Sequence, residues 1–118
     1  MVTIEQVAEA ILHQDAIVVR DMVQRFLQQQ PTLVHITLPQ TDDPQRLAIS
    51  AALLELFAER SQQAPPSWTQ TIPALSEPLY LVRAAHHMKR LRTLCETQAP
   101  PPLRKRRLYA PPNYLQFV

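Results

Sequence analysis

The sequence predicts an all-α fold, a small bundle of about four helices followed by a proline-rich, basic C-terminal segment. The chain of 118 residues has no glycine but twelve prolines, which disfavours tight hairpins and favours helices that end at proline. Apolar residues recur at helical spacing through most of the chain. The length suits one domain, which we place at residues 1–98, with residues 99–118 as a segment docked on it.

The N-terminal region predicts two short helices that meet at an angle. Thr3 and the glutamine three positions later match a capping box, and the apolar residues that follow place the first helix at 4–13. Asp15 is suited to cap a second helix, which an apolar stripe extends almost to Pro31. A DNA-binding helix-turn-helix is the alternative, but the acidic side chains here, including Asp21, favour two core helices.

The middle of the chain predicts an extended connector and a long central helix. Residues 32–38 alternate in polarity, but a single strand needs a partner that the sequence does not reveal, so we interpret them as a connector. Asp43 followed by Pro44 is an N-cap with proline at the first helical position, and it predicts a helix to about Gln63. Apolar residues lie on nearly every face of this helix, which indicates that it is the most buried helix of the fold.

The second half of the chain predicts a tryptophan loop and a fourth helix. Trp68 follows Pro66 and is either a lid over the core, which we favour, or a platform that stacks on a partner. The fourth helix is expected over residues 79–98, with a weak first turn and a candidate break near His86. Cys95 lies on its apolar stripe and is interpreted as a small buried hydrophobe rather than a nucleophile.

No set of residues has the spacing of a catalytic or metal site, so we expect a non-catalytic protein without a cofactor. His86 and His87 are adjacent and would point about 100° apart on a helix, whereas a zinc pair on one helix is four residues apart. Glu55 and Glu59 have the spacing of a solvated helix face. The lone Cys95 favours a reducing compartment, and no apolar run approaches the roughly 20 residues that span a bilayer, so we expect a cytoplasmic protein.

Charge is divided unevenly along the chain. Residues 1–76 carry four basic and eight acidic groups, a net charge of −4, whereas residues 77–118 carry eight basic and two acidic groups, a net charge of +6. This division predicts an anionic partner for the C-terminal region or an association of unlike halves.

The cationic run at 104–107 lies between prolines and apolar residues, so the segment is expected to be docked, with its cations pointing outward. The expected anchors are Leu108, Tyr109, Tyr114 and Phe117. The predicted partner-binding residues are Arg104, Lys105, Arg106, Arg107, Tyr109, Arg90, Arg92 and Trp68.

Several short motifs of the second half carry a resemblance to a known family. They are Trp68-Thr69 in a proline loop, Glu77-Pro78-Leu79-Tyr80-Leu81, Leu91-Arg92 with Leu94, Glu96-Thr97-Gln98-Ala99-Pro100, Leu103-Arg104-Lys105-Arg106 and Tyr109-Ala110-Pro111-Pro112-Asn113-Tyr114-Leu115. Over about residues 58–118, the chain resembles small bacterial proteins whose genes tend to lie beside those of minimal nucleotidyltransferase-like proteins. The resemblance implies an antitoxin-like partner that restrains the nucleotidyltransferase.

The sequence is also compatible with two other functions. In a nucleic-acid-binding accessory protein, the same arginines would contact phosphates while Tyr109, Tyr114 or Trp68 stacks on bases. In a self-assembling helical module, the acidic half of one chain would meet the basic half of another. The total charge of only +2 weighs against strong nucleic-acid binding.

Overall fold

The computed structural model describes residues 1–116, most of which are helical; Phe117 and Val118 lie outside the described residues. Short 3₁₀ helices lie at Ser67–Thr71 and Arg83–His86. The other elements of this part of the chain are α1 Ile4–Leu12, α2 Ala16–Gln29, α3 Pro44–Arg60, β1 Leu79–Tyr80, α4 Lys89–Gln98, α5 Pro101–Arg104 and β2 Leu108–Tyr109. The predicted helical class is therefore confirmed as a small, mostly helical fold.

The first two helices begin at the predicted caps. The Thr3 hydroxyl accepts from the backbone N–H of Gln6, and the Gln6 side chain accepts from that of Thr3, which completes the capping box. The Asp15 side chain accepts from two backbone N–H groups in the first turn of α2. Gln14, between the helices, has a φ of 57°, a costly conformation that reverses the chain within three residues. Both predicted helices are confirmed.

The third helix, α3, is the central helix, as the sequence predicts. Asp43 caps it and Pro44 is its first residue. Every residue from Ala48 to Ala58 except Glu55 is buried, because α1, α5 and the first 3₁₀ helix pack around it. Phe26 of α2 meets it through the ring of Phe57, with the ring centroids 6.3 Å apart. Burying a phenylalanine of this kind stabilises the fold by about 2–3 kcal/mol.

The connector before α3 is fastened to the end of that helix. α3 ends at Arg60, earlier than predicted, because Gln62 adopts a φ of 57° that a helix does not continue. The side chain of Gln63 then accepts from the backbone N–H of Leu33, which is 1% exposed. Residues 32–38 form a turn and an extended connector without strand pairing, as interpreted from the sequence.

The helix predicted over residues 79–98 is wrong in its first half. Leu79–Tyr80 instead forms β1, which pairs in parallel with β2. The backbone N–H groups of Leu79 and Leu81 donate to carbonyl groups of the C-terminal segment, and a partner so far along the chain leaves no trace in local apolar spacing. The second 3₁₀ helix follows and ends at His86, so the candidate break lies where the sequence placed it.

The C-terminal segment packs on the helices and does not project from them. Leu103, Leu108 and Ala110 are each 0% exposed and belong to the same hydrophobic cluster as α1, α2 and α3. Tyr114 and Leu115 pack against this cluster while partly buried. Each fully buried leucine contributes about 2 kcal/mol, which offsets part of the chain entropy that the segment loses when it docks. The remaining expected anchor, Phe117, lies outside the described residues.

Candidate functional site

Arg92 fastens α4 to the turn that precedes it. Its Nε donates to the carbonyl oxygen of Ala85 at 3.0 Å, and its Nη2 donates to that of His86 at 2.7 Å. These carbonyls end the second 3₁₀ helix, where backbone acceptors have no partner within the helix. The half-buried guanidinium is thus held by neutral acceptors, and its charge is not compensated.

Two further arginines of the predicted site are held in the same way. Arg104 Nη1 donates to the carbonyl oxygen of Thr97 at 2.8 Å, in the last turn of α4. Arg107 Nη1 donates to the carbonyl oxygen of Ser76 at 2.6 Å, and its own φ of 63° turns the chain into β2. No carboxylate among residues 1–116 forms an ion pair with Arg92, Arg104 or Arg107.

Arg106 contradicts the expectation that all four cations at 104–107 point outward, because it is only 3% exposed. Its Nη1 and Nη2 form a bidentate pair with Oε1 and Oε2 of Glu55, at 2.7 and 3.0 Å. The same two nitrogens donate to the carbonyl oxygens of Pro102 and Thr69, at 3.1 and 2.7 Å. These bonds satisfy the two terminal nitrogens of a guanidinium whose burial would otherwise be very costly. Arg106 therefore fixes the segment on α3 and is not available to a partner.

Glu55 is the centre of an ion cluster that also contains Lys105 and Arg106. Lys105 Nζ lies 2.8 Å from Glu55 Oε1, although the lysine side chain is 58% exposed. The Glu55 side chain is only 9% exposed, so the prediction of a solvated helix face is wrong for this residue. Burial alone would raise the pKa of Glu55, but hydrogen bonds from Arg106 and Lys105, with the charge of Arg106, lower it to about 2.

Sequence reasoning missed Glu55, yet the sequence contains a signal for it. It is the single carboxylate in the otherwise buried stretch from Ala48 to Ala58. A carboxylate in such a helix requires a buried cation as its partner, because the free-energy cost of burying an unpaired carboxylate is far larger than the gain from packing. The identity of that cation, Arg106, depends on how the segment folds back on α3.

Tyr80 and Tyr109 form an aromatic pair that joins the two short strands to α4. Their ring centroids are 5.5 Å apart, and the ring of His86 meets Tyr80 edge-on at 6.1 Å. The Tyr80 hydroxyl donates to Glu96 Oε1 at 2.6 Å, and this hydrogen bond raises the pKa of Tyr80 to about 12. Both tyrosines are half-buried, and Tyr80 lies close enough to Arg92 to feel its charge.

Trp68 is a lid on the core, which is the interpretation that the sequence favours. Its Nε1 donates to the carbonyl oxygen of Ile36 at 2.8 Å, and its ring packs against the hydrophobic cluster. Within residues 1–116, no hydrogen bond or ring contact joins it to the arginines of the predicted site. Cys95 is 0% exposed, which confirms its reading as a buried hydrophobe.

Arg83, Lys89 and Arg90 are exposed and form no ion pair with a carboxylate of residues 1–116. We define the cationic region as the exposed and half-buried cations of residues 83–107. The only carboxylate in that stretch is Glu96, which already accepts from Tyr80. The members of the region are Arg83, Lys89, Arg90, Arg92, Arg104, Lys105 and Arg107.

Residues 1–116 contain no group of three His, Cys, Asp or Glu side chains that could hold a metal ion. None of the helices in this part of the chain is long and apolar enough to cross a membrane. Comparison with protein-family models, curated proteins and solved structures gives no match. The function is therefore argued from the geometry of the cationic region.

Proposed function

We propose that this chain is a non-catalytic binding protein whose cationic region docks on an acidic surface of a protein partner. The observation that supports this best is the way in which Arg92, Arg104 and Arg107 are held. Each guanidinium donates to backbone carbonyl groups, and none is neutralised by a carboxylate of residues 1–116. Guanidinium groups fixed in this way lose little conformational freedom when they bind carboxylates.

The partner that we propose is a nucleotidyltransferase-type protein, in keeping with the family that the sequence resembles, and the role is antitoxin-like. Enzymes that transfer nucleotides hold Mg²⁺ and phosphate groups with carboxylates, so that their empty cleft is acidic. Arginines of the cationic region would pair with those carboxylates bidentately and block entry of metal and nucleotide. Arg106 has no part in this contact because Glu55 already binds it.

A nucleic-acid-binding role is the second candidate, and the observation that favours it is the Tyr80–Tyr109 pair close to Arg92. Half-buried rings beside guanidinium groups suit stacked bases and adjacent phosphates. Self-assembly of unlike halves has less support. Glu55 of the acidic half is already neutralised by Lys105 and Arg106 of the same chain, which reduces the charge left for a second copy.

The test compares the wild type with the double variant Arg104→Glu, Arg107→Glu by calorimetric titration against a minimal nucleotidyltransferase from the same genome. The matched control is Arg25→Glu, which reverses an exposed arginine on α2 whose one ion pair within residues 1–116 is with Asp21. We expect the double variant to bind about 100-fold more weakly, because each reversed charge meets carboxylates on the partner. The control should bind like the wild type. Circular dichroism of each variant verifies the fold.

Unchanged binding by the folded double variant would contradict the proposal. Binding to a short single-stranded RNA that weakens steeply with salt, without binding to the nucleotidyltransferase, would support the second candidate instead. A molecular mass that depends on salt in light scattering would indicate self-assembly.

A further inference from the structure

A cleft of about 1030 Å³ opens between the C-terminal ends of α2 and α3, within the size range of small-molecule sites. The buried side chains of Leu33 and Phe57 contribute to its lining, with Leu27 and Leu115 beside them. Five glutamines supply most of its polar groups, and none of its described lining residues is acidic. The cleft therefore offers an apolar surface with neutral hydrogen-bonding groups.

Arg60, the last residue of α3, is the one cation among the described lining residues. Its Nη1 is buried and has no hydrogen-bond acceptor within residues 1–116. Burial lowers the pKa of Arg60, and the neighbouring charge of Glu59 opposes this effect without forming an ion pair. The half-buried Arg60 guanidinium thus carries a charge at the wall of the cleft that an anionic ligand would neutralise.

Other buried guanidinium nitrogens of the described chain do not share this property. Nitrogens of Arg46 and Arg106 are also buried without a hydrogen bond, but both side chains already have carboxylate partners. Arg46 Nε lies 3.6 Å from a carboxylate oxygen of Asp43, and Arg106 binds Glu55 through its other nitrogens. Of these three arginines, only Arg60 forms no ion pair with a carboxylate of residues 1–116, and it lines the cleft.

The glutamine side chains of the cleft differ in whether they already form hydrogen bonds, and Gln30, which donates to Met1 Sδ, and Gln63 do so. Gln63 accepts from Leu33 N–H at 3.0 Å and donates to the carbonyl oxygen of Pro31 at 2.9 Å, which holds one wall in place. Gln24 and Gln28 are exposed, lie four residues apart on the same face of α2, and their side chains form no hydrogen bond within the described chain. Their amides are therefore available to a ligand.

We infer that this cleft binds a small organic anion with an apolar body, a function distinct from the proposed binding of a protein partner. The Arg60 guanidinium, which forms no ion pair with a carboxylate of residues 1–116, would bind the anionic group at the wall of the cleft. The apolar body would lie against Leu33 and Phe57, and the amides of Gln24 and Gln28 would orient polar groups at the mouth of the cleft. A positively charged ligand would find no carboxylate among the described lining residues.

The test uses fluorescence titration of the full chain with anilinonaphthalene sulfonate, an anionic probe with an apolar body, and with neutral phenylnaphthylamine. Arg60→Gln is expected to weaken binding of the sulfonate about tenfold, since a charge-assisted hydrogen bond is lost, and to leave the neutral probe unaffected. Arg25→Gln is the matched control, because that arginine is exposed on α2 and pairs with Asp21.

Gln28 provides a second test that does not disturb buried groups. Gln28→Lys should tighten binding of the sulfonate severalfold, and Gln28→Glu should weaken it by a similar factor. Thermal unfolding verifies that each variant is folded. The inference is overturned if Arg60→Gln is folded and binds the sulfonate like the wild type. It is also overturned if the two Gln28 variants bind equally, or if the neutral probe loses affinity as much as the sulfonate does.

Discussion

The substitution Glu55→Gln is expected to destabilise the fold by about 3 kcal/mol at neutral pH. It preserves the side-chain volume but removes the charge that holds Lys105 and Arg106, and Arg106 is only 3% exposed. The pKa of Glu55 is about 2 instead of 4.5, and each tenfold change in the dissociation constant corresponds to about 1.4 kcal/mol. Removal of one partner from a buried ion pair costs a similar amount, about 3–5 kcal/mol.

Urea unfolding measures this loss, with far-UV circular dichroism and the fluorescence of the single tryptophan, Trp68, as probes. The midpoint of thermal unfolding should fall by roughly 10 °C for a domain of this size. The control is Glu59→Gln, one turn further along α3, where the carboxylate is exposed and forms no ion pair within the described chain. This control should stay within about 0.5 kcal/mol of the wild type.

The pH dependence of the same variant tests the electrostatic origin of the loss. The pKa of Glu55 is lower in the folded protein than in the unfolded chain, so its contribution is complete above about pH 4.5 and is lost as the pH falls towards 2. The stability difference between wild type and Glu55→Gln should therefore shrink in acid. A difference that is independent of pH, or a Glu55→Gln variant as stable as Glu59→Gln, would refute the reasoning.

A double substitution distinguishes the free-energy cost of leaving Arg106 unpaired from the net contribution of the Glu55–Arg106 ion pair to stability. Glu55→Gln combined with Arg106→Met should recover much of the stability lost by Glu55→Gln alone, because it removes the buried cation as well as its partner. A double variant less stable than Glu55→Gln would indicate that Arg106 stabilises the fold through its carbonyl contacts with Pro102 and Thr69.

Two further predictions concern side chains of the core. Trp68→Phe should lower the free energy of unfolding by about 1 kcal/mol, because it removes the 2.8 Å hydrogen bond to the carbonyl oxygen of Ile36. Thermal unfolding followed by circular dichroism measures this loss. An unchanged midpoint would contradict the prediction. Cys95 is fully buried, and burial raises the pKa of its thiol, so a disulfide reagent should label it only in denaturant. Rapid labelling of Cys95 in the native protein would contradict this prediction.

Local signals were sufficient for the first three helices of this fold. The caps at Thr3, Asp15 and Asp43 act on the backbone within a few residues, and apolar stripes report which helix face is buried. Local signals were misleading at residues 79–86. Their apolar spacing resembles a helix, but backbone hydrogen bonds to the distant C-terminal segment hold Leu79–Tyr80 as a strand.

For the proposed interaction surface too, the local sequence predicted some features and the tertiary packing determined the others. Sequence alone placed the cations of residues 83–107 in one part of the chain and identified Trp68 as a lid. It did not distinguish Arg106 from Arg107, because adjacent arginines in a basic run have the same local surroundings. It also gave no indication that Arg60 would line a cleft, since that depends on how α2 and the connector approach the end of α3.

The sequence by itself determined the helical character of the protein, the starts of its first three helices and the excess of positive charge in the C-terminal region. Only the tertiary structure decided the role of each charge. Arg106 is structural because Glu55, 51 residues earlier, reaches it in a buried position, whereas Arg104 and Arg107 bind neutral carbonyls and form no ion pair with a carboxylate of residues 1–116. The energy of a charge in a protein is set by burial and by the charges brought near it, and both depend on long-range packing.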